Sequence, residues 1–116
     1  MEITHVFAGV PVSDAGSAHD WYERFFGRPP DMRPREGEAV WRLSPRVSVY
    51  VVEDPGAAGR GQLTIAVGAL EAALAELDAR GIGALPGPEG GPAPRSALAT
   101  DLDGNTVKLF EDEGAP

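Results

Sequence analysis

The sequence predicts a single α+β domain, residues 1–116, built from two copies of a strand–helix–three-strand unit. The first observation is internal repetition, because residues 1–57 and 58–116 show the same order of strand and helix patterns. The second is that Gly27 and Gly81, which end the two predicted helices, lie 54 positions apart. With only two copies, the repeat indicates a domain with pseudo-twofold symmetry and not a solenoid.

The first unit is predicted from a change in hydrophobic period. Apolar residues alternate with other residues along the first segment, as in a half-buried strand. They then recur at helical spacing, with a stripe of small and aromatic residues typical of a buried helix face. The predicted elements are a strand from Ile3 to Val12, a helix from about Ala15 to Phe26, an irregular edge strand or loop over 28–37, and strands over Glu38–Leu43 and Arg46–Glu53.

The second unit repeats this order after a glycine-rich linker over 54–61. A proline- and glycine-rich segment from Pro86 to Pro94 is predicted to be a loop, because proline removes backbone donors and fixes φ. The predicted elements are strands over Gln62–Val67 and Ile82–Leu85, a helix over about Leu70–Arg80, and a final strand pair over Arg95–Thr100 and Thr106–Glu111.

Composition narrows the classes of partner. The chain has 116 residues and a formal net charge of −8, which disfavours nucleic acid and anionic membranes as partners. It has no cysteine, which excludes a disulfide framework, a thiolate metal site and a cysteine nucleophile. The N-terminal residues lack a signal-peptide pattern, and no apolar run is long enough to span a membrane. We therefore expect a soluble, cytoplasmic protein whose partner is a small molecule.

Three motifs carry a resemblance to a known family. Val12-Ser13-Asp14 leads into a helix that carries Trp21-Tyr22 and ends at Phe26-Gly27. The second helix ends in the run 77–81, and the run 101–109 has the form of a closing hairpin. Their order and spacing resemble the glyoxalase/bleomycin-resistance superfamily, also called vicinal oxygen chelate proteins, which includes the extradiol dioxygenases. The resemblance covers nearly the whole chain and concerns shape more than reaction, since one fold hosts many functions.

The resemblance implies paired βαβββ modules that curve around an open cleft, with helices over the outer faces. The alternation of residues along each strand is consistent with this and divides the strand residues between the two faces. Residues expected under the helices are Val6, Val10, Val49, Leu63, Ile65, Val107 and Leu109. Residues expected to line the ligand cleft are His5, Phe7, Trp41, Ser48, Tyr50, Gln62, Thr64, Lys108 and Phe110.

The resemblance also implies where a metal would sit. Enzymes of the superfamily generally hold a divalent metal through His, Glu or Gln side chains, and the metal acts as a Lewis acid on paired substrate oxygens. The corresponding positions here fall at Phe7, near Tyr50, at Gln62 and at Lys108. Phenylalanine has no donor atom and protonated lysine has no acceptor. We therefore expect neither a metal site nor a cofactor.

Two further residues, His5 and Lys108, have alternative interpretations. His5 is either an ordinary strand-end histidine or, with a strand shift, a metal ligand. His19 is expected on the surface of the first helix. Lys108 is either a cleft cation that binds an anion or acts as a catalytic amine, or a lysine whose stem lines the pocket while its head reaches solvent.

Three functions compete at this point. The first is a metal-free protein that binds a small aromatic or cationic molecule in its cleft. Because members of the superfamily commonly pair, the resemblance also implies a homodimer. The second is a metal-dependent lyase or dioxygenase, which would require His5, Gln62 and a third ligand such as Glu53 or Glu111 to converge. The third is a non-catalytic structural or partner-binding module with a filled cleft. Because the usual metal ligands are missing, the sequence favours a binding protein over an enzyme.

Overall fold

The computed structural model describes residues 1–88 and 95–112. The predicted loop therefore lies outside the described residues from position 89 to 94, and residues 113–116 also lie outside them. The elements in chain order are β1 (Val6–Val12), α1 (Ala15–Phe26), β2 (Met32–Arg35), β3 (Glu38–Ser44), β4 (Val47–Glu53), β5 (Gln62–Val67), α2 (Leu70–Ala79), β6 (Leu85–Pro86), β7 (Ser96–Thr100) and β8 (Thr106–Glu111).

The strands form two four-stranded sheets with the same connectivity. The first sheet has the order β1-β4-β3-β2, and the second has the order β5-β8-β7-β6. In each, the first strand pairs parallel with the last, and the remaining pairs are antiparallel. We call β1–β4 with α1 module 1, and β5–β8 with α2 module 2. The predicted pair of βαβββ modules is confirmed, and the predicted boundary at 57/58 falls in the connection between β4 and β5.

The pairing register defines equivalent rows of residues in the two sheets. Neighbours across strands share a face, so each row can be compared side by side. On the face that α1 covers, one row reads Ala8–Val49–Trp41, and its equivalent in module 2 reads Leu63–Val107–Ala99. On the opposite face, the next row reads Gly9–Tyr50–Val40, and its equivalent reads Thr64–Lys108–Leu98.

At the start of each helix, a backbone N–H donates a hydrogen bond to a glutamate carboxylate at the end of a strand. The Asp14 side chain caps α1 by accepting from Ser17 N, and Glu53 Oε1 also accepts from Ala15 N at 3.0 Å. Helix α2 has no side-chain cap of its own, and there Glu111 Oε1 accepts from Leu70 N at 3.1 Å. These contacts satisfy donors that a helix start leaves free. Within the described residues, neither helix is long and apolar enough to cross a membrane.

The two modules share one core and a buried polar joint. Tyr22 of module 1 donates its hydroxyl to Asp101 Oδ2 at 2.8 Å, and Asn105 Nδ2 donates to the Pro11 carbonyl at 2.8 Å. Asn105 Oδ1 in turn accepts from Gly61 N, and both Asp101 and Asn105 are buried. The residues predicted to form the closing hairpin turn therefore also hold the modules together.

Three sequence predictions about the position or burial of a side chain were wrong. Trp41 was expected in the cleft but is fully buried beneath α1, because β3 pairs it with Val49 on the helix-covered face. His19 was expected on the surface but is only 8% exposed, because its Nε2 bonds the Val51 carbonyl. Val6 was expected beneath a helix but is 53% exposed, since it begins β1 beyond the covered part of the sheet.

Candidate functional site

The candidate site is built from the sheet faces that the helices leave uncovered, which we call the open faces. The register places Phe7, Ser48 and Tyr50 on the open face of module 1, with His5 directly before β1 bonded to Ser48. It places the remaining predicted cleft residues on the open face of module 2, and these are Gln62, Thr64, Lys108 and Phe110. Trp41 is the predicted cleft residue that lies elsewhere, in the core.

The open face of module 1 carries a cavity of about 380 Å³. This volume lies in the range of small-molecule sites, which hold roughly 300–1,000 Å³. Its lining is mainly apolar and comes entirely from module 1. The lining residues are Phe7, Met32, Pro34, Arg35, Glu38, Val40 and Tyr50.

Sequence reasoning missed the contribution of β2 and β3 to this cavity. Glu38 and Val40 face it because they pair with Val52 and Tyr50, respectively. The sequence has no local signal for this phase of β3, because a tryptophan suits a core and a cleft equally. In the structure Ala39 and Trp41 are fully buried on the face that α1 covers, so the alternate positions point to the open face.

The Tyr50 ring lies across the backbone of Gly9. A Cβ built on Gly9 would fall 2.5 Å from Tyr50 Cζ and 2.6 Å from its hydroxyl oxygen. Gly9 is therefore the residue that allows the phenol to lie flat along the sheet. Phe7, two residues earlier on the same face, is 56% exposed and presents its ring to solvent.

His5 packs beside these aromatic residues. Its ring centroid lies 4.4 Å from that of Phe7, and its Nε2 lies 2.8 Å from Ser48 Oγ. Although this pair has the spacing of a nucleophile and its base, Ser48 is only 3% exposed and cannot reach a substrate. The contact with Ser48 therefore holds the His5 ring beside Phe7.

The open face of module 2 is more polar. Lys108 lies in the middle of β8, flanked in its row by Thr64 and Leu98. Gln62, Thr64 and Lys108 are all exposed, and Phe110 is half-buried. Among the described residues Lys108 forms no ion pair.

The residues present do not fit the metal of the family's enzymes. Phe7 and Lys108 occupy two of the four expected positions, and neither supplies a metal-binding atom in its ordinary state. Within 1–88 and 95–112, no group of three His, Cys, Asp or Glu side chains could hold a metal ion. Tyr50 and Gln62 alone supply too few ligands for a divalent site.

The alternative ligand set also fails to converge. Glu53 and Glu111 lie at the ends of β4 and β8, and each is bonded to the first turn of a helix. Their register places them on the helix-covered face, whereas His5 and Gln62 belong to the open faces.

Three shifted pKa values mark structural contacts. Burial, and then the Asp101 carboxylate, raise the pKa of the Tyr22 hydroxyl far above its usual range. Hydrogen bonds from the backbone N–H of Arg42 and from the Arg28 guanidinium lower the pKa of Asp31. The bond to Arg42 joins the residue before β2 to β3. The backbone N–H and hydroxyl of Ser17 lower the pKa of Asp14 at the start of α1. The shifts favour the neutral hydroxyl of Tyr22 and the ionised carboxylates of Asp14 and Asp31, which are the forms that make these contacts.

The chain is similar to solved structures over almost its whole length, although no protein-family model and no curated protein matches it. A glyoxalase/bleomycin resistance protein from Catenulispora acidiphila is 35% identical, with a TM-score of 0.88, and the match covers 93% of this chain and 97% of that one. An antibiotic binding protein from Streptomyces sp. CB03234 is 28% identical, with a TM-score of 0.75 and coverage of 96% and 98%. A bleomycin resistance determinant encoded on transposon Tn5 shares the fold at 19% identity, with a TM-score of 0.70 and coverage of 95% and 98%.

Proposed function

Because the chain belongs to the glyoxalase/bleomycin resistance protein family, we propose that it is a metal-independent binding protein for a small planar aromatic molecule. The observation that carries the proposal is the cavity on module 1, with the exposed Phe7 ring and the flat Tyr50 ring on one wall. Rigid aromatic side chains beside an apolar pocket favour stacking with a flat ligand.

A related structure supports a small-molecule ligand. It is the antibiotic binding protein that is 28% identical to this chain. A binding protein of this kind would act by sequestering its ligand, which needs affinity and no reaction. The poor fit of Phe7 and Lys108 to a metal supports binding that needs no ion.

We also propose that a second copy of the chain covers the open faces in a homodimer. The cavity is lined by module 1 alone, and Phe7 and Met32 at its rim are 56% and 54% exposed. A ligand resting there would keep one side in water, whereas most small-molecule sites bury 70–90% of the ligand's surface. Module 2 of a second copy, set against module 1 of the first, would enclose the ligand twice in a symmetric dimer.

A thermal-shift panel tests the proposal. The protein is stripped with chelator and heated with flat polycyclic aromatic compounds, with bleomycin, and with nickel, zinc, manganese or iron salts. We expect an aromatic compound to raise Tm by several degrees without metal, because a ligand that binds only the folded state stabilises it. Stabilisation by a metal alone, or a requirement for metal before any compound binds, would favour the lyase or dioxygenase alternative.

Two alanine variants locate the binding surface. Phe7 is 56% exposed on the open face and Leu102 is 65% exposed in the hairpin turn of module 2. Phe7→Ala should abolish most of the ligand-induced shift, and Leu102→Ala should leave it unchanged. Equal shifts in both variants would place the ligand elsewhere and contradict the proposal.

A further inference from the structure

The charges of the open faces differ in sign from those of the chain as a whole. The chain carries a net charge of −8. On the open faces of the described strands, however, the register places three basic residues, Arg35, Arg42 and Lys108, and one acidic residue, Glu38. The site that the proposed function uses is therefore the part of an acidic protein that favours an anion.

Two of the three basic residues are already engaged. Arg35 Nε lies 3.2 Å from Glu38 Oε1, so the acidic residue of this surface is paired with a basic residue of its own module. Arg42 donates through one guanidinium nitrogen to the Pro45 carbonyl at 2.9 Å, which holds it at the β3–β4 turn. Arg42 keeps its positive charge, but this bond holds it at the turn of module 1. Lys108 is the basic residue of module 2's open face, and the described residues give it no ion pair.

The sheet neighbours of Lys108 on the open face are neutral. Its row neighbours are Thr64 and Leu98, and the next open-face residues along β8 are Thr106 and Phe110. Enclosing an ammonium group among such neighbours costs free energy unless an anion accompanies it. In the proposed dimer, Lys108 of one copy would stand opposite the aromatic cavity of the other.

We infer that the ligand of this site is an aromatic anion, a flat ring system bearing a carboxylate or phenolate, whose acidic group pairs with Lys108. The inference rests on the proposed function and names its ligand class. It disfavours cationic drugs as ligands, even though the acidic chain as a whole would attract them.

Isothermal titration with three probes of one shape tests the inference. The probes are anthraquinone-2-carboxylate, its neutral primary amide and the corresponding aminomethyl cation. We expect the carboxylate to bind at least about tenfold more tightly than the amide, because a hydrogen bond between two charged groups is stronger than one to a neutral group. The cation should bind most weakly.

Charge variants distinguish a direct contact between Lys108 and the carboxylate from the general attraction of an anion to positive charge on the protein. In Lys108→Gln the carboxylate should lose its advantage while the amide keeps its affinity, and Lys108→Arg should restore most of the advantage. Arg60→Gln, which removes one positive charge from the exposed linker, should leave the ratio between carboxylate and amide unchanged. An equal loss in Arg60→Gln and Lys108→Gln would overturn the assignment of Lys108.

The chain's single lysine provides a direct readout. Reductive ¹³C-methylation labels Lys108 and the α-amino group, and the Lys108 signal is the one absent from Lys108→Arg. The carboxylate probe should shift this signal and the amide should not. Equal affinity for all three probes, or tightest binding of the cation, would overturn the inference and leave aromatic binding standing, whereas no binding of any probe would overturn both.

Discussion

Modules 1 and 2 have the same strand order and the same parallel and antiparallel pairing, yet equivalent rows hold different chemistry. On the helix-covered face, Trp41 of module 1 corresponds to Ala99 of module 2. On the open face, Tyr50 corresponds to Lys108. The two modules therefore share a backbone scaffold, while their side chains form an aromatic half and a more polar half.

The difference explains how a repeated fold can form an asymmetric site. Module 1 has an aromatic core, in which Trp41 packs near Tyr22 and Phe26, and an apolar cavity on its other face. Module 2 has small residues, Ala97 and Ala99, on the core side of β7 and a cation on its open face. A flat ligand with one charged edge would need both halves.

The largest expected effect concerns the two faces of the first sheet. Trp41 is fully buried and its Nε1 donates to the Arg28 carbonyl at 2.9 Å, whereas Phe7 on the opposite face is 56% exposed. Trp41→Ala should lower the free energy of unfolding by about 3–5 kcal/mol through lost burial and a cavity. Phe7→Ala should change it by less than about 1 kcal/mol. Denaturant titration measures both, and similar losses would contradict the assignment of the faces.

A smaller effect distinguishes the chain's two tyrosines. The pKa of Tyr22 is raised by burial and by Asp101, so its neutral form is favoured in the folded state. Its contribution to stability is complete below the unfolded tyrosine pKa of about 10 and is lost as pH rises above it. The free energy of unfolding should therefore fall with alkaline pH above about 10, and fall less steeply in Tyr22→Phe.

The same difference can be followed by absorbance. In Tyr50→Phe the remaining tyrosine is Tyr22, so the phenolate signal should emerge together with unfolding. A phenolate that forms while the near-UV circular dichroism of the fold persists would show that the joint does not hold Tyr22 neutral.

The smallest expected effect on stability is at Gly9. A methyl group there would meet the Tyr50 ring, which can swing away, so Gly9→Ala should alter stability by less than about 1 kcal/mol. The displaced ring should weaken aromatic-probe binding by about tenfold, or about 1.4 kcal/mol. Gly68→Ala, where an added methyl group meets nothing within 4 Å, is the control and should bind normally. Unchanged binding in Gly9→Ala would remove Tyr50 from the site.

The sequence predicted the fold well because the repeat and the glycine stops are local signals. The helix over Ala15–Phe26 and the strand over Gln62–Val67 were predicted at their observed bounds. The phase of β3 was not predicted, because an aromatic residue suits a cleft and a core equally by type. Only the pairing of Trp41 with Val49 decides between them.

The site was partly predictable for a similar reason. Phe7 and Tyr50 follow from the alternation of β1 and β4, which is regular. The contribution of Met32 and Pro34 depends on an edge strand whose register shifts between Met32 and Arg35. The bond between Glu53 and the start of α1 joins residues 38 positions apart, which no local pattern reveals.

The most direct test of the central claim is a crystal structure of the metal-free protein with anthraquinone-2-carboxylate. We predict a symmetric dimer with the ring system against Phe7 and Tyr50 of one copy and the carboxylate beside Lys108 of the other. A ligand bound away from the open faces, or open faces filled by protein side chains of the second copy, would contradict it.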